Sequence, residues 1–236
     1  MNVDENLHYD QWLSSVMCRD VYRFDCPDKI DLCKLPEFKI AKGSFVFSKL
    51  GIDCVESRRS LLCSGFELIE ANVQLAKEIS NSVSGSGNQH EIRFAVASDK
   101  DQSVELAKIS FTYSRFHQDG NISKEVANNV KGEWVGNYYK GKRGDFMLLA
   151  LDGNRQVGFL QLLKHHQDLI IDLIAVDSEY RNRGIASDLI HYAEKNCGMV
   201  KRILVGSQLS NFKSLRMYEN LGFRFCNASY VFHMHT

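Results

Sequence analysis

From residue 90 onward the apolar positions follow two rhythms. Glu91-Ile92-Arg93-Phe94-Ala95-Val96 alternates apolar with polar, which predicts a strand. Val104–Tyr113 predicts a helix with Leu106, Ile109 and Tyr113 on one face. Residues 123–139 place Val126, Val130, Trp134 and Tyr138 at four-residue spacing, a second helix. Phe146–Leu151, Gln156–Leu163 and Leu169–Val176 are apolar runs parted by Asp152-Gly153-Asn154 and by residues 165–168, which predicts a strand meander. Gly184–Asn196 is helical by Ile185, Leu189, Ile190 and Ala193, with Gly198 as its stop. Ile203–Val205 is a strand, Phe212–Leu221 a helix ended by Gly222, and Phe223–Cys226 and Tyr230–His235 are two final strands. This alternation is an α/β plan on a mixed sheet.

Asn81 to Asn88 reads Asn-Ser-Val-Ser-Gly-Ser-Gly-Asn, small and polar, and predicts a linker over 81–89. It separates an N-terminal lobe, 1–80, from a larger domain, 90–236. Both prolines, Pro27 and Pro36, precede it.

Composition narrows the class. The chain has 236 residues, with 29 basic and 29 acidic side chains, so it carries no basic footprint for nucleic acid and no polybasic membrane patch. Met1-Asn2-Val3-Asp4-Glu5 lacks the basic and apolar segments of a secretory signal, and no apolar run suggests membrane insertion. Seven scattered cysteines without a C-x-x-C pair fit reduced thiols in a cytoplasmic protein. No metal site is expected, and His233 and His235, two residues apart, should share one face of a strand.

The chemistry lies between Asp172 and Phe223. A buried strand ends in Val176, a polar turn follows, and Arg181-Asn182-Arg183-Gly184-Ile185-Ala186 opens a helix as Arg-x-x-Gly-x-Ala. Unpaired N–H groups and the helix dipole at such a start favour an anion. Alone, the motif is as often a plain surface turn. A second block follows: Asn211, Tyr218, Gly222 and Phe223 fit Asn-x-x-Ala-x-x-x-Tyr-x-x-x-Gly-Phe, with Ser214 in place of alanine.

The two blocks in register resemble the GNAT N-acetyltransferase superfamily. The resemblance implies an α/β GNAT fold, a mixed central sheet in which two adjacent parallel strands splay apart to admit acetyl-CoA. Carried over by position, Ile174, Ala175 and Val176 would meet the pantetheine arm. Asn182, Arg183, Gly184, Ile185, Ala186 and Ser187 would cradle the pyrophosphate, Asn211 would contact the cofactor, and Tyr218 would be the general acid. A phenol is protonated at neutral pH, as donation to a leaving thiolate requires. A backbone N–H near Val176 would steady the oxyanion.

Peptide N-terminal acetyltransferases of this superfamily often carry a glutamate where this chain has Gly206. The chain instead resembles the TDP-fucosamine (dTDP-4-amino-4,6-dideoxygalactose) N-acetyltransferase family. Val205-Gly206-Ser207-Gln208-Leu209-Ser210-Asn211 is similar to its Val-Ala-Thr-Gln-Met-Gly-Asn, and Phe111–Phe116 to its Phe-x-x-Ser-Arg-Phe. The N-terminal region also ends in a Gly-Phe strand. This chain departs from that family in keeping the fuller Arg-x-x-Gly-x-Ala turn. The resemblance implies a nucleotide-linked amino sugar as acceptor, and a homodimer is compatible with it. Alternatives are a peptide or small-amine N-acetyltransferase, or a non-catalytic acyl-CoA-binding module.

Ser57–Phe66 parallels Lys213–Phe223 when their Gly-Phe pairs are aligned, which sets Leu61 opposite Tyr218. The N-terminal lobe then reads as a half-GNAT-like α/β unit without the acid, walling the acceptor pocket. Arg115, His117 and Asp119 follow the first helix of the larger domain. Arg115 suits a nucleotide phosphate and His117 a proton, although a solvated loop also accounts for each, and for the histidine, with no orienting partner visible in the sequence, the loop is the preferred reading. Trp134 and Tyr138-Tyr139 offer aromatic surface to a base or sugar, but such a helical stripe is more often core.

Overall fold

The computed structural model describes residues 6–26, 40–79 and 90–236. The linker at 81–89 and both prolines lie outside the described residues. Strand β1 (Leu7–Tyr9), helix α1 (Gln11–Met17), strands β2 (Val21–Phe24) and β3 (Phe45–Gly51), helix α2 (Val55–Cys63) and strand β4 (Glu67–Glu78) form the N-terminal part. Then come β5 (Glu91–Phe94), α3 (Lys100–Ser110), the short α4 (Arg115–Gln118), α5 (Lys124–Tyr139), β6 (Phe146–Asp152), β7 (Arg155–His165) and β8 (Asp168–Val176). Helix α6 (Ile185–Asn196), β9 (Arg202–Gln208), α7 (Phe212–Asn220) and β10 (Arg224–His235) complete the chain.

These strands form one ten-stranded sheet in the order β1-β2-β3-β10-β4-β9-β8-β7-β6-β5. The pairs β2–β3 and β8–β9 are parallel and the others antiparallel. Two β-α-β segments, β3-α2-β4 and β9-α7-β10, exchange their last strands. Strand β4 pairs with β9, β10 pairs with β3, and β4 and β10 pair with each other at the centre. The N-terminal part therefore continues the sheet of the larger part.

Strand β6 shows why the meander reads as unbroken apolar runs. Met147 and Leu149 face the helices α3 and α5, Leu148 and Ala150 face α6, and all four are fully buried. A strand covered on both faces has no polar side to alternate with. Helix α6 buries Ile185, Leu189, Ile190 and Ala193 against the sheet, the stripe its spacing predicts.

Two expectations change. Helix α3 starts at Lys100 and ends at Ser110, so Tyr113 lies beyond it and Ile109 is 68% exposed. Its buried face is Ser103, Leu106 and Ala107. Asp99 accepts from the Val96 N–H at 2.7 Å and pairs with Arg93, which begins the turn earlier than the apolar pattern suggests. The two final strands are one, β10, which absorbs a bulge between Phe225 and Asn227.

Among the described residues no helix is long and apolar enough to cross a membrane.

Candidate active site

The site begins at a bulge. Gln161 of β7 pairs with Leu173 of β8 and Leu162 pairs with Ile171, which leaves Asp172 unopposed. The extra residue reverses the facing of the strand: Leu169 and Ile171 pack toward α6, Leu173 and Ala175 toward α3 and α5. The parallel ladder to β9 stops at the same place. It runs from Asp168↔Arg202 to Ile171↔Val205 and no further, although β8 continues to Val176 and β9 to Gln208. The two strands separate into a cleft of about 420 Å³.

Ile174, Ala175 and Val176 line this cleft. The Asp177 N–H donates to Val157 across β7, at 2.9 Å. Successive backbone groups alternate in direction, so the Val176 N–H faces the open side. The Val176 carbonyl is taken by Arg181 Nε at 3.1 Å, and Arg181 also donates to the Ser110 carbonyl, tying α3 to the strand end.

The turn after β8 has the backbone geometry of an anion cradle. Asn182 and Gly184 have φ of 63° and 84°, both left-handed, and α6 starts at Ile185. Alternation of handedness at a helix start turns successive N–H groups to one side. A Cβ on Gly184 would meet no protein atom within 4 Å, so the space over the cradle is open. Asn182, Gly184, Ile185, Ala186 and Ser187 line the cleft. Arg183 turns away, donating to the Glu179 carbonyl at 2.9 Å and lying over the Tyr180 ring. The splayed strands and the open cradle fit the pantetheine and pyrophosphate of acetyl-CoA.

Asn211 and Tyr218 reach the cleft from α7. The Asn211 side chain caps that helix by accepting from the Ser214 N–H at 3.3 Å. Tyr218 is 3% exposed, with its ring against Phe223. Burial pushes its phenol well above the ordinary value, so it stays protonated.

Arg115 and His117 do not line this cleft. Arg115 is sandwiched by Phe47 and Phe116, 4.0 and 4.5 Å from their centroids, and faces a second cavity. Burial lowers its pKa to about 10. His117 belongs to α4, with Nδ1 2.6 Å from the Ser114 hydroxyl and Nε2 2.9 Å from Asn128 Oδ1. Burial lowers its pKa, and both ring nitrogens are engaged in structure.

Two ionisable groups that sequence reasoning passed over gather behind the cleft. Lys131 of α5 lines it and is 8% exposed. Burial and the neighbouring Arg115 lower its pKa to about 8, against the attraction of Asp172 and Glu70. Glu70 of β4 is also buried. Burial raises its pKa, while a hydrogen bond from Gln208 and the cations Arg115 and Lys131 oppose the rise. Its Oε2 is buried without a hydrogen-bond partner. No local pattern marks Glu70, because the strand exchange alone brings β4 beside β9. Lys131 carries a weak signal as a cation on the apolar face of α5.

His233 and His235 do share one face of β10, and both bond to Asp119 Oδ2, at 2.6 and 2.8 Å. Their ligand atoms and that of Asp119 lie within 4.8 Å of one another. Arg19 sits 3.1 Å from His235 Nδ1. That donor fixes Nδ1 as acceptor and Nε2–H as the donor to Asp119. The guanidinium already supplies the positive charge at this cluster, which makes it a hydrogen-bonded strut between the N-terminal part, α4 and β10.

An open mixed sheet that splits beside a left-handed turn opening a helix is the GNAT fold. The chain carries a GNAT acetyltransferase domain: residues 113–223 match the profile of the acetyltransferase (GNAT) family. The spore coat polysaccharide biosynthesis protein SpsD of Bacillus subtilis (strain 168) is 32% identical over 140 residues, 58% of this chain and 47% of that protein. The chain thus spans about half the length of the curated relative it matches. A functionally unknown conserved protein from Staphylococcus epidermidis ATCC 12228 superposes with a TM-score of 0.65 at 12% identity, over 93% of this chain and 86% of that one. A GCN5-related N-acetyltransferase from Kribbella flavida does so with 0.60 at 10% identity, over 91% and 81%. At such identities the likeness is one of fold.

Proposed function

We propose that the protein transfers acetyl from acetyl-CoA to the primary amine of a nucleotide-linked 4-amino-4,6-dideoxysugar, for surface polysaccharide. The observation that supports transfer is the convergence on one cleft of the split β8–β9 edge, the open cradle at Asn182–Ser187 and the protonated Tyr218. The sugar acceptor rests on the motif resemblance and on the likeness to a polysaccharide biosynthesis protein. The reaction belongs in the cytoplasm, where activated sugars are made.

The amine nitrogen attacks the thioester carbonyl carbon, and the carbon–sulfur bond breaks. The Val176 N–H meets the oxygen on which charge develops. Tyr218 gives its proton to the departing sulfur. Lys131, whose pKa is lowered to about 8 in the wall of the cleft, takes in its neutral form the proton the amine loses. Glu70 and Asp172 hold that lysine's affinity for the proton up. Glu70 thus supplies the negative charge that Gly206 does not, from another strand.

Thiol release from acetyl-CoA with a panel of amines tests this reading. Release with a dTDP- or UDP-linked amino sugar alone is the expected result. Release with peptides or polyamines would overturn the acceptor, and cofactor binding without turnover on any amine would leave a non-catalytic acyl-CoA module.

A further inference from the structure

The second cavity, about 980 Å³, lies against the cofactor cleft and is lined mainly by parts of the chain that the transfer chemistry does not use. Asp172 forms the wall between them. It lines the cleft, while Trp134 Nε1 at 2.9 Å and Arg143 Nε at 2.8 Å donate to its Oδ2 from the cavity side. Lys131, on the cleft side, sits 4.8 Å from the Trp134 ring centroid.

The lining is polarised in a chain of zero net charge. Arg23, Arg115, Lys142 and Arg143 line the cavity beside one carboxylate, Asp10, whose oxygen already caps α1 through the Leu13 N–H. Asp25 pairs with Arg23 and Asp172 with Arg143, so the excess positive charge rests on Arg115 and Lys142. Two of these cations are held in place. Arg115 is fixed between Phe47 and Phe116, and Arg143 is fixed by both oxygens of Asp172 and lies over the Trp134 ring. The fixed guanidinium of Arg115 suits phosphate oxygens, and Arg143, whose Nε and Nη2 are taken by Asp172, keeps Nη1 for them. The chain has two tryptophans, Trp12 and Trp134, and both line this cavity, edge to face at 5.7 Å. Half-buried tryptophan beside fixed arginines offers a stacking surface next to an anion site.

Building on the proposed acetyl transfer, we infer that the second cavity is the subsite for the nucleoside diphosphate of the acceptor, with the base on Trp12 and the diphosphate on Arg115 and Arg143. The volume accommodates a ligand of nucleotide size. The shared wall orients the sugar from this subsite toward Lys131 and the split strands. The N-terminal part, through Trp12, Arg23 and Phe47, then supplies half of the acceptor site. Its sheet continuity with β9 fixes the spacing between nucleotide and acetyl group.

Because both tryptophans line the cavity, intrinsic fluorescence reports its occupancy. Protein saturated with acetyl-CoA, to block the cleft, is titrated with dTDP and UDP, and with thymidine and inorganic pyrophosphate separately. Saturable quenching by a nucleoside diphosphate is expected, with at least tenfold weaker binding of thymidine or pyrophosphate alone. Trp12→Leu and Arg115→Lys, followed by equilibrium dialysis, should each weaken nucleoside diphosphate binding tenfold or more and leave acetyl-CoA affinity unchanged. Displacement of the nucleotide by acetyl-CoA would overturn the subsite. So would pyrophosphate binding as tightly as dTDP, or variants that bind like the parent. Acetylation of a nucleotide-linked sugar that is indifferent to both variants would sink the subsite and leave the transfer reading intact. Nucleotide binding in the cavity with no nucleotide-linked sugar accepted would sink the transfer reading and leave the subsite.

Discussion

Leu61 and Tyr218 occupy the same place in two helices closed in the same way. The carbonyl of Leu61 accepts from the Phe66 N–H at 3.1 Å, and that of Tyr218 from the Phe223 N–H at 3.0 Å. Gly65 and Gly222, with φ of 87° and 90°, make both closures, since the left-handed turn favours glycine. Leu61 packs wholly in the core formed with Phe24 and Phe232, whereas Tyr218 reaches the cleft. Only one of the two related positions therefore carries a phenol. Tyr218→Phe should lower kcat by about 10²–10⁴-fold, the usual worth of a positioned acid, with acetyl-CoA affinity intact. Unchanged kcat in steady-state assays would remove Tyr218 from the mechanism.

The cradle makes a graded prediction. Gly184→Ala places a Cβ in open space, so its cost comes from the left-handed backbone, about 1–2 kcal/mol. Gly184→Asp adds a carboxylate where the pyrophosphate is to lie. Calorimetric titration with acetyl-CoA should show modest weakening for alanine and loss of binding for aspartate. Equal affinities for the two variants would contradict the cradle.

Lys131 and Glu70 predict a pH profile. With a lysine base of pKa about 8, kcat/KM should rise with pH and level off above that value. Glu70→Gln removes a negative charge that favours the protonated lysine. The lysine then loses its proton more easily, and the rising limb should move to lower pH. Lys131→Gln should abolish the limb. A profile that moves to higher pH in Glu70→Gln would exclude this coupling.

The sequence carries local information, and what it made legible is local. The stripe Ile185, Leu189, Ile190 and Ala193 marks α6, and the turn at Asn182–Gly184 marks its own left-handed backbone. The bulge at Asp172 was not legible, because one extra residue in an apolar strand leaves the composition unchanged and reverses only the facing. Glu70 and the wall built by Trp134, Arg143 and Asp172 depend on strands and helices far apart in the chain. Residues 70 and 208 become neighbours only because β4 is exchanged across to β9. The Asp119–His233 contact likewise spans 114 positions.

That last contact sets the acid limit of the fold. His233 has 1% exposure, lies edge-on to Phe45 at 4.7 Å, and donates from Nδ1 to Asp119 while its Nε2 is buried without a partner. Burial lowers its pKa to about 4, against the pull of Asp119. Burial would raise the Asp119 carboxyl, but hydrogen bonds from His233 and His235 outweigh this and hold it well below the carboxylate range. In the unfolded chain the imidazole titrates at about 6.5 and the carboxyl at about 3.9. Between about pH 6.5 and 4 the unfolded state binds the histidine proton and the folded state does not, so stability falls as pH falls. The full shift corresponds to roughly 3 kcal/mol. Below about pH 3.9 Asp119 extends the loss in the same direction. Urea denaturation from pH 8 to 4 should show this decline. His233→Asn should be less stable at pH 7, by about 1–3 kcal/mol for the lost packing and hydrogen bond, but should lose less stability between pH 6.5 and 4. Parallel pH curves for the parent and His233→Asn would show that the buried imidazole does not set the limit.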